Sequence, residues 1–552
     1  MDGAARLPLE VAPGGDAGFW SAPWVPWATA GFVALGVLLR VARYLLNFPL
    51  WCDETMIAAN FLDRGYADLF RPLDYRQVSP VLFLVVELTA VKLLGFSELS
   101  LRFFPMLCGV ASVPLFRHAA GRVLSGVPLL LAVAVFAVAG WPLRYAAEVK
   151  PYASDLFVAL GLLALALEWC RAPERSAWLW ALALAAPVAV AVSLPAVFVV
   201  GGVGLALAVP VWKTRRAGAR LALAAGNLAA AGTFLALARF YKTAPQDHDY
   251  FHNAWADAFP PLDSITGLVA WLCDVHTGFM FAYPEGGARG ASALTFVAFA
   301  AAAVVLWRRG RRTVVALCLA PFGLALVAAA IHRYPYGVSA RTTQYAAPAI
   351  CLLTGLGAAC GLSRVKSAEA RRRGLAAVAG GLALLGFGHL GFDMLHPYKT
   401  ATDERVRSFA RWFWIEQSRD GVAVCARRDL GLTFDARHWT RDATDTYLCY
   451  QRIYSPRHRP GAPADPGAVS RTRPLRVVLF NEFAEGTPAA AAWMAGMLAR
   501  YDVSRVLSYP VSSIERKIGP TWDQVYVVYE FVPRTPPTPA LTRSPAPAPA
   551  LR

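Results

Sequence analysis

Asp53 and Glu54 stand side by side just after an apolar stretch of membrane-spanning length, residues 24–46, in the run Leu50-Trp51-Cys52-Asp53-Glu54. Ionisable groups at a membrane face are costly to keep and are functional-site candidates by default. The chemistry they offer is general-base work: a carboxylate that takes a proton from a substrate hydroxyl, or positions it, at the outer face of a bilayer. Asp is also a common helix cap, and residues 54–64, followed by Gly65, read as an interfacial helix that Asp53 would cap. One residue can serve both ends.

Three further polar segments border apolar ones. Residues 71–80 (RPLDYRQVSP) put Arg76 and Gln77 just before a short apolar helix, where they line a polar cleft or form a solvated loop. The link 144–152 (RYAAEVKPY) is dense in polar groups for its length. Glu148, Lys150 and Tyr152 either line the same cleft as Asp53 or form a turn with snorkelling charges. Residues 332–341 (HRYPYGVSAR) combine His332, Arg333, Tyr336 and Arg341. Aromatics at such a depth also occur as a plain interfacial belt. Guanidinium forks beside hydroxyl donors suit a phosphate or pyrophosphate.

The elements that must position these groups are membrane helices. The 552-residue chain is 56% hydrophobic and only 16% charged, with mean hydropathy +0.41, which excludes an ordinary soluble protein. Its net charge of +17 fits the basic cytoplasmic loops of a polytopic membrane protein. No basic cluster has the interleaved aromatics of a nucleic-acid binder. Residues 1–20 show no apolar run of a cleavable signal. Windows of about 17–25 apolar residues predict spans at 24–46, 101–117, 123–143, 153–170, 177–193, 195–212, 220–240, 291–307, 313–331, 345–362 and 374–391. Segment 79–95 is short, carries Glu87 and Lys92, and reads as an interfacial or re-entrant helix.

If 79–95 does not cross, the clusters Arg117–Arg122, Arg171–Arg175, Lys213–Arg220, Arg308–Arg312 and Arg364–Arg373 all fall on one side. The positive-inside rule makes that side the cytoplasm. The expectation is about eleven spans, a cytoplasmic N-terminus (1–23), a membrane domain (24–391), an extracytoplasmic α/β domain (392–533) and a Pro/Ala-rich disordered tail (534–552). In the α/β domain, helices are expected at 404–417 and 487–500 and strands at 422–425, 475–480, 503–507 and 525–531. Cys425 and Cys449 both lie there and can pair in an oxidising compartment; none of the nine cysteines has metal-ligand spacing. Loop 241–290, with His248, Asp249, His252, Asp257 and His276, matches no standard metal site and reads as a solvated loop or a shaper of acceptor choice.

The acidic residue after the first span, the long first outer loop and "GFSELSLRFFPMLCG" at 95–109 resemble the C-type (GT-C) fold of membrane glycosyltransferases. "RYAAEVKPYASD" and "RYPYGVSAR" add to the resemblance, which is to the ArnT/protein O-mannosyltransferase-like branch and most to bacterial RgtA/B/C/D-like transferases. It covers about residues 24–391. It implies a hexosyl- or pentosyltransferase of the cell envelope, acting in lipopolysaccharide or protein glycosylation. The sugar would pass from a polyprenyl-phosphate donor to a glycolipid, glycan or protein acceptor, with inversion. By the same resemblance Asp53 would be the base, Glu54 its support and Glu148 the second acidic position. Arg341, with Arg333, Lys150 and Tyr336, would hold the donor phosphate, and Gln77, Tyr152 and His332 would line the cleft.

An isolated Asp53-Glu54 pair lacks the ligand count of a divalent-metal site, so no cofactor is expected. The alternative class is a multi-pass transporter, which would place charges at mid-membrane and show repeated halves. A non-enzymatic scaffold for the outer domain is a third reading, and it would tolerate neutralisation of Asp53.

Overall fold

The computed structural model describes residues 17–240, 255–416, 421–423, 442–454, 474–480, 488–516 and 519–534. The chain divides into two compact units between Lys399 and Thr400.

The first unit is helical. It runs through α1 (Val25–Leu45), α2 (Cys52–Asp63), α3 (Val81–Leu94), α4 (Phe103–Gly121), α5 (Gly126–Val138), α6 (Gly140–Tyr145), α7 (Tyr152–Arg171) and α8 (Ala177–Val192). It continues through α9 (Ala196–Lys213), α10 (Ala217–Ala238), α11 (Ile265–Thr277), α12 (Ala293–Arg308), α13 (Arg312–Ala330), α14 (Ala347–Ser363) and α15 (Ala368–Leu395). Among the described residues eight helices are long and apolar enough to cross a membrane: α1, α4, α7, α9, α10, α13, α14 and α15. This is a multi-pass membrane protein. The three remaining expected spans are also helices, but shorter. Both α8 and α12 have 16 residues, and α5 has 13. At 1.5 Å per residue, 16 residues extend only about 24 Å against a hydrocarbon core of about 30 Å. Segment 79–95 forms the 14-residue α3.

The centre of this unit is α5, which is buried on every side and packs on α1 and α14. A helix apolar all round belongs in such a place. Small residues set the spacing: a Cβ on Gly355 of α14 would fall 2.3 Å from the Ala132 backbone. The apolar run 123–143 is not one helix, because Ala139 is extended (φ −62°, ψ 122°) and splits α5 from α6. That break strands carbonyls inside the apolar core. Arg40, fully buried on α1, donates to Ala137 O at 3.1 Å and Phe136 O at 3.4 Å, and to Gly36 O of its own helix at 2.9 Å. A buried cation is kept here because it satisfies the carbonyls that the break exposes.

The second unit holds α16 (Ala401–Arg411), β1 (Gly421–Ala423), α17 (Asp442–Tyr454), β2 (Leu475–Phe480), α18 (Pro488–Leu498), β3 (Tyr501–Arg516) and β4 (Gly519–Pro533). The sheet order is β1-β2-β4-β3, with β1 parallel to β2 and the other pairs antiparallel. The expected strands are present, with β3 and β4 extended into a long hairpin. The expected helix at 404–417 starts earlier, capped by the Thr400 side chain, and ends in a wide turn at Trp412–Glu416. Phe409, Tyr447 and Tyr526 meet with ring centroids 5.0–5.4 Å apart beneath the sheet. Cys425 lies outside the described residues, as do His248, Asp249 and His252.

Candidate active site

The N-terminus of α2 is built by Glu54, not by Asp53. Trp51 is the capping residue, and its backbone N–H donates to Glu54 Oε2 at 3.2 Å. Glu54 is otherwise claimed by Arg102, which comes from the turn before α4. Arg102 Nε donates to Oε1 at 3.0 Å, and Nη2 reaches Oε1 at 2.9 Å and Oε2 at 2.8 Å. The same guanidinium donates to Phe48 O and, at 3.2 Å, to Pro49 O, which ties down the segment between α1 and α2. The side chains of Arg102 and Glu54 are 1% and 2% exposed. Neighbouring hydrogen bonds stabilise such a pair once it is out of water.

Glu54 also reaches into the 144–152 link. Val149 N–H donates to Glu54 Oε1 at 2.7 Å. That single bond fixes the two residues beside Val149. Glu148 turns to Arg144 Nε at 3.1 Å and Lys399 Nζ at 3.5 Å. Its second oxygen is buried with no hydrogen-bond partner among the described residues. Burial would raise its carboxyl, but the cations of Lys399, Arg144 and Arg43 outweigh burial and hold it below the ordinary glutamate value. Lys150 Nζ donates to Gln77 Oε1 at 2.6 Å. Burial lowers its ammonium below the ordinary lysine value, against the pull of nearby Asp53.

Asp53, the neighbour of Glu54, points the other way. Its Oδ2 lies 3.4 Å from Arg341 Nη1, and the two side chains are 32% and 33% exposed. Arg341 comes from the short turn Ala340–Thr342 and stacks over the Trp255 ring at 4.7 Å. The loop that delivers it turns at Gly337, whose φ is +74° and where a Cβ would fall 2.1 Å from Val275 Cγ1. Only glycine fits there. Tyr152, at the start of α7, stacks edge-on against Tyr145 at 4.8 Å and lies within electrostatic reach of Arg341, Asp53 and Glu148.

The structure therefore gathers Asp53, Arg341, Lys150, Gln77, Tyr152 and Glu148 around the α2 N-terminus. It does not gather the rest of the late loop. The Tyr336 hydroxyl is buried and hydrogen-bonded to His276 Nε2 at 3.1 Å, so it is engaged elsewhere. His332 packs on the Phe259 ring at 4.7 Å, and Arg333 is exposed. Two residues that enter the site, Arg102 and Lys399, are not singled out by the sequence. Arg102 sits in a short polar gap before an apolar run, a position that reads as an ordinary interfacial anchor. Lys399 stands at the far end of the unit from Glu148 in sequence and carries no local signal. Among the described residues no three His, Cys, Asp or Glu side chains gather to hold a metal ion.

No protein-family model matches this sequence, and no curated protein is similar to it. Among solved structures, ArnT from Cupriavidus metallidurans in the apo state superposes with a TM-score of 0.50 at 15% identity, over 91% of this chain and 98% of ArnT. The crystal structure of ArnT bound to undecaprenyl phosphate gives 0.50 at 16% identity over the same shares. The chain has the GT-C fold of ArnT. An oligosaccharyltransferase from Archaeoglobus fulgidus aligns over 76% of this chain with a TM-score of 0.46. At such low identity the GT-C likeness is one of fold, and the chemistry has to be argued from the side chains.

Proposed function

We propose that this protein is an integral-membrane glycosyltransferase that moves a sugar from a polyprenyl-phosphate donor to an acceptor hydroxyl at the outer face of the membrane. The observation that carries this reading is the half-open pair Asp53–Arg341, a carboxylate and a guanidinium side by side at the N-terminus of a short helix. In the reaction Asp53 accepts the proton of the acceptor hydroxyl as its oxygen attacks the anomeric carbon. The bond from that carbon to the phosphate oxygen breaks, and its electron pair leaves with the polyprenyl phosphate. Arg341 and Lys150 stabilise the charge that develops on the leaving group. A direct displacement of this kind inverts the anomeric configuration. Glu54 takes no part in proton transfer; locked by Arg102, it orients α2. The ArnT structure with undecaprenyl phosphate supports a lipid-phosphate donor for this fold. In this reading the N-terminus is cytoplasmic and the second unit lies outside.

The test is sugar transfer by purified protein in lipid, supplied with a mixed pool of polyprenyl-phosphate sugars and candidate acceptors. Wild type forms product, and folded Asp53→Asn forms none. Equal product from both would remove Asp53 from the base role, and no product from wild type with any acceptor would count against the transferase reading.

A further inference from the structure

The last residue of the membrane unit, Lys399, stands where two parts of the site meet. Its Nζ lies 3.1 Å from the centroid of the Trp51 ring and 3.5 Å from Glu148 Oε1. Trp51 caps the helix that bears Asp53, and Glu148 belongs to the link that bears Lys150. The lysine side chain is only 20% exposed. A cation over an indole face and beside a carboxylate is held by both, and more firmly once water is excluded.

We propose that Lys399 is a positioning residue of the transfer site: it keeps Glu148 ionised and holds the Trp51 cap, so that Asp53 and Lys150 stay in register. This rests on the transferase reading above. The groups that face the pair are few. Arg144 and, at longer range, Arg43 act on Glu148, with Lys150, Tyr145 and Tyr152 within its electrostatic reach. Glu54 and Asp53 act on Lys399, together with Arg144. Without Lys399 the buried carboxyl of Glu148 loses its largest cationic partner and keeps the arginines and the more weakly charged, buried Lys150. Its unpartnered second oxygen then becomes the preferred place for a proton. An ordinary structural ion pair would instead lower activity, if at all, equally at every pH.

The test compares wild type, Lys399→Met and Lys399→Arg in lipid. With Lys399→Met, kcat falls about tenfold or more at the acid end of the profile and recovers towards wild type as pH rises. KM for the donor stays within about twofold, and Lys399→Arg restores the profile. A flat loss across pH, or no change, overturns the proposal. A second measurement does not need turnover: thermal unfolding of Lys399→Met, Glu148→Gln and the double variant at neutral pH. Shifts in midpoint that do not add show the coupling, and additive shifts overturn it. If wild type transfers no sugar, the transferase reading fails, while the unfolding comparison still decides whether Lys399 and Glu148 act together.

Discussion

Asp53 and Arg341 are 288 residues apart in sequence and face each other at 3.4 Å, each about one-third exposed. Glu54, one residue further along the same helix, is sealed. Adjacent carboxylates thus have opposite surroundings, and they should fail in opposite ways.

Asp53→Asn should abolish most transfer, by about 10²–10⁴-fold in kcat, with little change in thermal midpoint. Glu54→Gln or Arg102→Met should instead destabilise the protein by about 3–5 kcal/mol, because each leaves a buried charge unpaired. Thermal unfolding beside transfer rates separates the two classes.

Arg341→Gln should keep the fold and lower kcat by about 10²-fold, the usual loss when one preorganised donor to a developing charge is removed. Arg341→Lys should recover only part of this, since an ammonium cannot stack on Trp255 and reach Asp53 as a flat guanidinium does. Single-turnover kinetics with saturating donor reads the difference.

Lys150 has an ammonium group lowered by burial. A lowered pKa means that it loses its proton, and its charge, at a lower pH than a free lysine. The alkaline limb of kcat/KM should therefore begin below the ordinary lysine value of 10.5. Substituting Lys150→Arg should move that limb upward while lowering the plateau, since the guanidinium fits the Gln77 contact less well. A pH–rate profile checks both.

Gly109 of α4 has no room for a side chain: its Cβ would lie 2.4 Å from Ala146 Cβ, at the start of the link that carries Glu148 and Lys150. Gly109→Ala should cost about 1–3 kcal/mol as an overpacked contact and reduce transfer by shifting the link. Gly361, which a Cβ leaves unobstructed, is the control. Gly361→Ala should leave both stability and transfer near wild type.

Much of the fold is legible in the sequence because bilayer length and apolar periodicity leave few choices. Every expected span except 123–143, which Ala139 splits into two short helices, coincides with one helix, and the alternation after Lys399 gives the small sheet. The break at Ala139 has a local signal that hydropathy alone passes over: Gly140 and Pro142 follow it, and Pro142 has no N–H to offer the preceding turn; Arg40 on another helix then takes up the exposed carbonyls. In the site, Asp53, Arg341, Lys150 and Gln77 stood out because charged and amide groups beside apolar runs are conspicuous. The division of labour between Asp53 and Glu54 did not, since it depends on Arg102, 48 residues away. Tyr336 looked like a phosphate ligand by its neighbours in sequence, but its turn at Gly337 directs it to His276. Helix α17 was hidden by its weakly polar composition.

The clasp of Arg102 on Glu54 also sets a phase. Successive residues on a helix are about 100° apart in azimuth, so pinning one side chain to the interior decides the bearing of the next. The direction in which Asp53 looks is thus fixed from α4, through a residue that never meets substrate. Inserting one residue between Asp53 and Glu54 would turn the carboxylate by about a further 100°, off Arg341, while leaving every side chain of the site in the protein. Changes to the lipid-facing surfaces of the spans leave that bearing untouched, so those surfaces are free to diverge while the clasp is not.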